Sequence, residues 1–161
     1  MSIQLVNVGV AQVKMGSSPQ VLRTILGSCV GICIYDRQKK IGGLAHVLLP
    51  EATSQESNIE KYADTAIPML VDLLLKQGCR KEFMSAKIAG GASMFKFSQA
   101  NTLGQIGDRN IEATKKALSM KGIPILAEDV GGNSGRVIDF YLDDGHLKVK
   151  AGQNERNLYK I

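Results

Sequence analysis

Two residues in the first third of the chain, Cys29 and His46, could form a nucleophile and its base. The segment Gly27-Ser28-Cys29 places a thiol directly after a glycine-serine break between two apolar runs. A cysteine thiol has a pKa of about 8.5 and is little ionised at neutral pH, so a nucleophilic cysteine needs a neighbouring base. Of the two histidines, His146 lies in the polar turn DDGH, whereas His46 interrupts the apolar segment LAHVLLP. The pair predicts thiol acyl transfer, with His46 moving the protons.

A predicted hairpin would bring these two residues together. The β-rich runs CVGICIY and IGGLAHVLLP are joined by the polar segment DRQKK, a pattern typical of two antiparallel strands and their turn. Counting outward from the centre of that turn places position 29 opposite position 48. Cys29 and His46 are then expected to be diagonal neighbours, within reach if their side chains share a face.

The backbone before the cysteine could supply a second part of the chemistry. A glycine turn lets successive N–H groups converge, which is what a developing oxyanion requires. We therefore predict that the backbone around Gly27 and Ser28 supports the oxyanion.

Other interpretations of these residues stay open. Cysteine is among the most commonly buried residue types, and a lone histidine on a strand is often structural. Cys29 and Cys33 are spaced C-x3-C, but no second ligand pair follows at a structural-zinc spacing, so we expect no metal. The glycine pairs at 90–91 and 131–132 match neither GxGxxG nor GxxxxGK[ST]; turns that line a cleft are favoured over phosphate loops.

The hydrophobic pattern predicts an α+β fold. Strands are expected over 3–14, 21–26, the two arms of the hairpin, 86–89, 123–127, and a hairpin of 137–142 and 147–150. One helix should begin near Asp64 or Thr65 and end before Gly78, and a second should be capped by Asp108 and run to Lys121. This order lacks the alternation of a doubly wound nucleotide-binding fold and indicates mixed sheets with helices on one side.

Composition narrows the class of protein. With 161 residues, of which 44% are hydrophobic, the chain suits one domain over 1–161. The net charge of +5 is scattered and aromatics make up 5%, which argues against a nucleic-acid partner. The odd count of three cysteines indicates free thiols in a reducing compartment, by default the cytoplasm. No apolar stretch approaches the roughly 20 residues of a membrane helix, so we expect neither membrane insertion nor export.

Five segments occur in order over residues 23–136 and read RTILGSCVGICIYD, GGLAHVLLP, KYADTAIPML, KIAGGASMF and AEDVGGNSGR. Together they resemble the chemoreceptor glutamine deamidases of the CheD family. The resemblance implies a bacterial chemotaxis enzyme that converts glutamines of methyl-accepting chemoreceptors to glutamates through a Cys-His-Thr site, without a cofactor. It also implies a layered α-β-β sandwich of mixed sheets with helices packed on one side, similar to toxin-type glutamine deamidases.

Carried over by position, the family's nucleophile falls on Cys29 and its histidine on His46. In the family pattern the threonine lies six residues before the cysteine, where this chain has Arg23, and Thr24 lies one residue closer. A shift of one residue on a strand reverses the side-chain direction. We assign Thr24 as the orienting residue and expect a bulge or altered turn near Gly27 that restores its aim.

The resemblance also implies partners. The substrates would be the cytoplasmic helices of chemoreceptors, with the loops GGASMF and GGNSGR as candidate walls for an inserted glutamine. The same acyl chemistry would cleave a glutamyl methyl ester, because only the leaving group changes. An alternative of another class is a binding module that docks onto a CheC-type phosphatase and regulates it. A third hypothesis for the function is a thiol protease or general amidase.

Overall fold

The computed structural model describes residues 4–53, 58–93 and 105–159, and within them the chain forms two five-stranded sheets and two α-helices. The strands are β1 Leu5–Asn7, β2 Val13–Ser17, β3 Val21–Leu26, β4 Val30–Asp36, β5 Ile41–Val47, β6 Met84–Gly90, β7 Ile125–Val130, β8 Arg136–Tyr141, β9 Leu147–Ala151 and β10 Asn154–Leu158, and the helices are α1 Ala63–Lys76 and α2 Ile106–Met120. One sheet has the strand order β1-β3-β8-β9-β10 and the other the order β2-β5-β4-β6-β7. Both sheets are mixed, because β1 runs parallel to β3 and β6 runs parallel to β7 while the remaining pairs are antiparallel.

The layers are explained by the central strand β4, in which every residue is buried. Its side chains alternate between two apolar clusters: Val30, Ile32 and Ile34 pack with the helices, whereas Cys33 and Tyr35 pack with the other sheet. A strand covered on both faces reads as a continuous apolar run. The predicted α+β sandwich, with helices on one side only, is confirmed.

The hairpin of β4 and β5 is confirmed with the expected register. Val30 pairs with Val47 and Gly31 with His46. One further step of the same register sets Cys29, which directly precedes β4, opposite Leu48. Cys29 and His46 are therefore diagonal neighbours at the end of the ladder.

Several element boundaries differ from those expected. The first predicted strand is two strands, β1 and β2, which belong to different sheets. Helix α2 begins at Ile106, so Asp108 lies in its first turn and does not cap it. The last strand, β10, was not predicted because its sequence NERNL is polar; it is a sheet edge whose first four residues are exposed. No helix of the described segments is long and apolar enough to cross a membrane.

Candidate active site

A chain of hydrogen bonds fixes the tautomer of His46. Nδ1 of His46 lies 2.6 Å from Oγ1 of Thr24, and the Thr24 hydroxyl donates to the carbonyl oxygen of Val8 at 2.7 Å. A threonine hydroxyl has a single proton, so once this proton is directed to Val8 the oxygen can only accept from His46. The imidazole proton is therefore on Nδ1, and Nε2 carries the lone pair that a general base needs.

The lone pair on Nε2 of His46 is not used in a hydrogen bond. Among the described residues, Nε2 of His46 is buried and has no hydrogen-bond partner. Buried polar atoms normally have partners, so each exception calls for a reason. A nitrogen with a free lone pair can take a proton from a group brought next to it.

Thr24 reaches His46 from a regular strand. Leu22, Thr24 and Leu26 are buried on one face of β3, and the register between β3 and β8 is continuous over the whole strand. The register leaves no bulge within β3, and the altered turn near Gly27, the other expected route, stays a prediction. Arg23 lies on the opposite face, where its guanidinium forms two hydrogen bonds with the carboxylate of Asp139 at 2.6 and 2.9 Å. Plain alternation along the strand turns Thr24 inward.

The turn over residues 8–12 holds the backbone of His46 on both sides. The Ala11 N–H donates to the His46 carbonyl at 2.9 Å, and the His46 N–H donates to the Gln12 carbonyl at 3.0 Å. Ala11 has a φ of 58°, a conformation that residues other than glycine seldom adopt. The same turn brings the Val8 carbonyl to Thr24. No sequence pattern predicted this turn, because its contribution is made by backbone atoms that any residue carries.

Cys29 lies in the cluster between the two sheets and its side chain is 9% exposed. Burial raises the pKa of its thiol, while its own backbone N–H acts in the opposite direction. Burial also lowers the pKa of His46 to about 4. At neutral pH both groups are therefore uncharged: a protonated thiol and a neutral imidazole.

The backbone around Cys29 is tied to the loop that follows β6. The Gly91 N–H donates to the Cys29 carbonyl at 2.8 Å, and the Ala92 N–H donates to the Gly27 carbonyl at 3.0 Å. Gly90 has a φ of 105°, and a Cβ there would collide with the Cys29 carbonyl oxygen. Only glycine permits this close approach. The glycine pair thus holds the cysteine segment, as expected of a structural turn.

The two glycine loops proposed as walls are joined to each other. The Gly131 N–H donates to the Gly90 carbonyl at 2.9 Å, and the Ser93 N–H donates to the Gly132 carbonyl at 2.8 Å. Arg136 is buried and its guanidinium donates to the Gly131 carbonyl at 2.6 Å. Positions 94 and 95 of the GGASMF segment lie outside the described residues.

The other thiols and the second histidine lie apart from this site. Cys33 and Cys79 are free and buried, and burial raises the pKa of both thiols, that of Cys79 to about 11. His146 stacks on Tyr141 with ring centroids 4.2 Å apart, and its Nδ1 lies 2.6 Å from Asp144. Over the part of the chain that the structure describes, no three His, Cys, Asp or Glu side chains cluster as metal ligands.

Comparison with known proteins gives one family. Residues 48–151 match the family model described as CheD chemotactic sensory transduction. The chain is 49% identical to the probable chemoreceptor glutamine deamidase CheD of Clostridium novyi, over 91% of this chain and 92% of that protein. It is 51% and 49% identical to the chemoreceptor glutamine deamidases CheD of Bacillus velezensis and Bacillus subtilis, over 84% of each chain. A crystal structure of Bacillus licheniformis hypothetical protein YfiH is a remote likeness, with a TM-score of 0.48 and 18% identity over 73% of this chain and 49% of that one.

The low pKa of His46 predicts a specific loss of stability in acid. In the unfolded chain His46 binds a proton near its ordinary pKa of 6.5, but in the folded protein only near about 4. As the pH falls from 6.5 to about 4, the unfolded chain binds a proton on His46 that the folded protein does not bind. We expect wild type to lose about 3 kcal/mol of unfolding free energy relative to His46→Gln between pH 7 and pH 4. Urea unfolding at a series of pH values measures this, and parallel curves for the two proteins would contradict it.

The hydroxyl of Thr24 should matter for rate as well as for stability. Thr24→Val keeps the side-chain shape but leaves Nδ1–H of His46 without its acceptor. We expect acylation of Cys29 by p-nitrophenyl acetate to slow on the order of 10- to 100-fold, with a loss of about 1 to 3 kcal/mol in unfolding free energy. Thr24→Ser retains the hydroxyl and serves as the control, with near wild-type rates. Equal rates for the valine and serine variants would show that the hydroxyl does not orient the base.

Proposed function

This chain belongs to the CheD family, and we propose that it is a protein-glutamine deamidase that hydrolyses the side-chain carboxamide of chemoreceptor glutamines to glutamate. The relatives in Bacillus and Clostridium carry that activity in their names. The observation that best supports the proposal is the neutral His46, whose Nδ1 proton is held by Thr24 and whose Nε2 lone pair is free. A general base for Cys29 requires this state.

The reaction would proceed through a thioester. His46 takes the proton of Cys29 as the sulfur attacks the carboxamide carbon, giving a tetrahedral intermediate with a negative oxygen. The C–N bond then breaks, and His46 gives its proton to the departing ammonia. A water molecule, deprotonated by His46, attacks the thioester carbon, and the thiol leaves with a proton as glutamate forms.

Backbone N–H groups beside Cys29 would bind the oxyanion. Within the described segments, no backbone carbonyl accepts a hydrogen bond from the N–H of Ser28 or Cys29. The carbonyls of Gly27 and Cys29 are held by the Ala92 and Gly91 amides of the glycine loop, which makes this stretch of backbone rigid. Fixed donors of this kind stabilise developing charge without reorganising during the reaction.

The substrate would be a helix of the receptor's cytoplasmic part, with one glutamine side chain inserted toward Cys29. The joined loops over 90–93 and 131–135 stand beside the cysteine and are the candidate walls. Glutamyl methyl esters are expected to react by the same route, since methanol can leave in place of ammonia. Cytoplasmic location and docking of a CheC-type phosphatase on the same face stay predictions.

Deamidation should be visible as a mass change. Incubating a purified receptor cytoplasmic fragment with this protein should add about one mass unit per converted glutamine and release ammonia. Cys29→Ala and His46→Gln should each abolish the change. Peptide mapping of the product identifies the modified glutamines.

A matched control guards against loss of activity by unfolding. Cys33→Ala removes a buried thiol of β4 that lies four residues after Cys29, and this variant should deamidate the receptor fragment as fast as wild type does. If several receptor fragments keep their mass with folded wild-type protein, the deamidase proposal fails. Activity that survives Cys29→Ala would equally reject the thioester route.

A further inference from the structure

Asn110, on the second turn of α2, joins the nucleophile segment to the strand of the base. Its side-chain nitrogen donates to the carbonyls of Ser28 and Leu48, both at 3.0 Å. The β4–β5 ladder ends at Val30 and Val47, so these carbonyls lie just beyond the last paired residues. Asn110 is fully buried and replaces the missing ladder contact from outside the sheet.

The orientation of this amide is set by its surroundings. With the opposite orientation, the side-chain oxygen would face two carbonyl oxygens, which offer no proton. In the observed orientation Oδ1 is buried and has no partner among the described residues. A buried acceptor without a donor opposes folding. A residue selected only to fill the core would avoid this penalty, so the two hydrogen bonds must serve something else.

What they control is the direction of a peptide plane. In a trans peptide the C=O and the following N–H point in opposite directions. Holding the Ser28 carbonyl against Asn110 therefore turns the Cys29 N–H away from α2. The Ala92 amide does the same for the preceding peptide by holding the Gly27 carbonyl, which turns the Ser28 N–H away. A donated hydrogen bond to the carbonyl also polarises that peptide and strengthens its N–H as a donor.

We propose that Asn110 is a positioning residue for the oxyanion site, because it sets the Ser28–Cys29 peptide so that the Cys29 N–H faces the tetrahedral oxygen. The inference rests on the acyl-transfer chemistry proposed for Cys29 but not on the identity of the substrate. Asn110 touches no reacting atom. It acts through the peptide that precedes the nucleophile, and through Leu48 it keeps that peptide in register with the strand of His46.

Two small reagents separate this role from that of the base. p-Nitrophenyl acetate acylates Cys29 through a tetrahedral oxyanion: the S–C bond forms, p-nitrophenolate leaves, and a thioester remains. Iodoacetamide alkylates the same thiol by displacing iodide, with no oxyanion. Both reactions need the thiol proton removed, but only the first needs the oxyanion site. Mass mapping assigns each product to Cys29, and Cys29→Ala gives the background from the other two cysteines.

The variants are Asn110→Leu, which keeps the volume and removes both donors, and Asn110→Ala, which leaves room for a water to satisfy the carbonyls. For folded Asn110→Leu we expect acylation to slow about 100-fold, and for Asn110→Ala we expect a smaller loss, because a water can replace part of the amide's hydrogen bonding. In both variants alkylation should stay within about three-fold of wild type. Thr114→Val is the matched control. It lies one turn further along α2, is fully buried, and its hydroxyl has no partner among the described residues. Both of its rates should equal those of wild type.

The outcomes are distinct. A selective loss of acylation supports the positioning role, whereas unchanged acylation in both Asn110 variants overturns it. An equal fall in acylation and alkylation also overturns it, because Asn110 would then act through the base or the fold. A receptor deamidation assay on the same preparations reports separately on the proposed function. If wild type fails there but the ester result holds, the substrate assignment is wrong and the role of Asn110 stands.

Discussion

The hydrogen bonds that run from His46 through Thr24 to Val8 are the interaction on which the site depends. His46 belongs to β5 in one sheet and Thr24 to β3 in the other, so the pair crosses the interface between the sheets. The His46 proton is held on Nδ1 only while the sheets stay packed. The inter-sheet cluster around Leu22, Leu26 and Phe140 therefore supports the proposed chemistry as well as the fold.

Burial sets the electrostatics of the site. His46 is 2% exposed, and the cost of placing a charge there keeps its imidazole neutral at neutral pH. The same burial raises the pKa of the Cys29 thiol. In such surroundings, fixed N–H dipoles act on a developing negative charge more strongly than they would in water. Under the proposed mechanism, excluding water would keep the resting thiol protonated and would strengthen the response to an oxyanion.

The architecture gives this site its rigidity from three directions. The turn over residues 8–12 holds the backbone of His46, the glycine loop after β6 holds the carbonyls of Gly27 and Cys29, and α2 contributes Asn110. Each support comes from a different part of the chain. The close approach at Gly90, where a Cβ would collide with the Cys29 oxygen, shows how little space separates these supports.

The sequence by itself determined the hairpin, because apolar alternation and the polar turn DRQKK are local signals, and the hairpin register made Cys29 and His46 diagonal neighbours. The order of strands and helices also predicted an α+β fold of mixed sheets with helices on one side, and the family resemblance implied the layered sandwich. The sequence could not establish the direction of the Thr24 side chain, because the family spacing, counted back from the cysteine, placed Thr24 on the wrong face of its strand. In the structure Leu22, Thr24 and Leu26 are buried on one face of β3, so Thr24 points inward. Only the tertiary structure decided that Val8 accepts from Thr24 and that Asn110 reaches Ser28, because these contacts join residues 16 and 82 positions apart and depend on how sheets and helix pack.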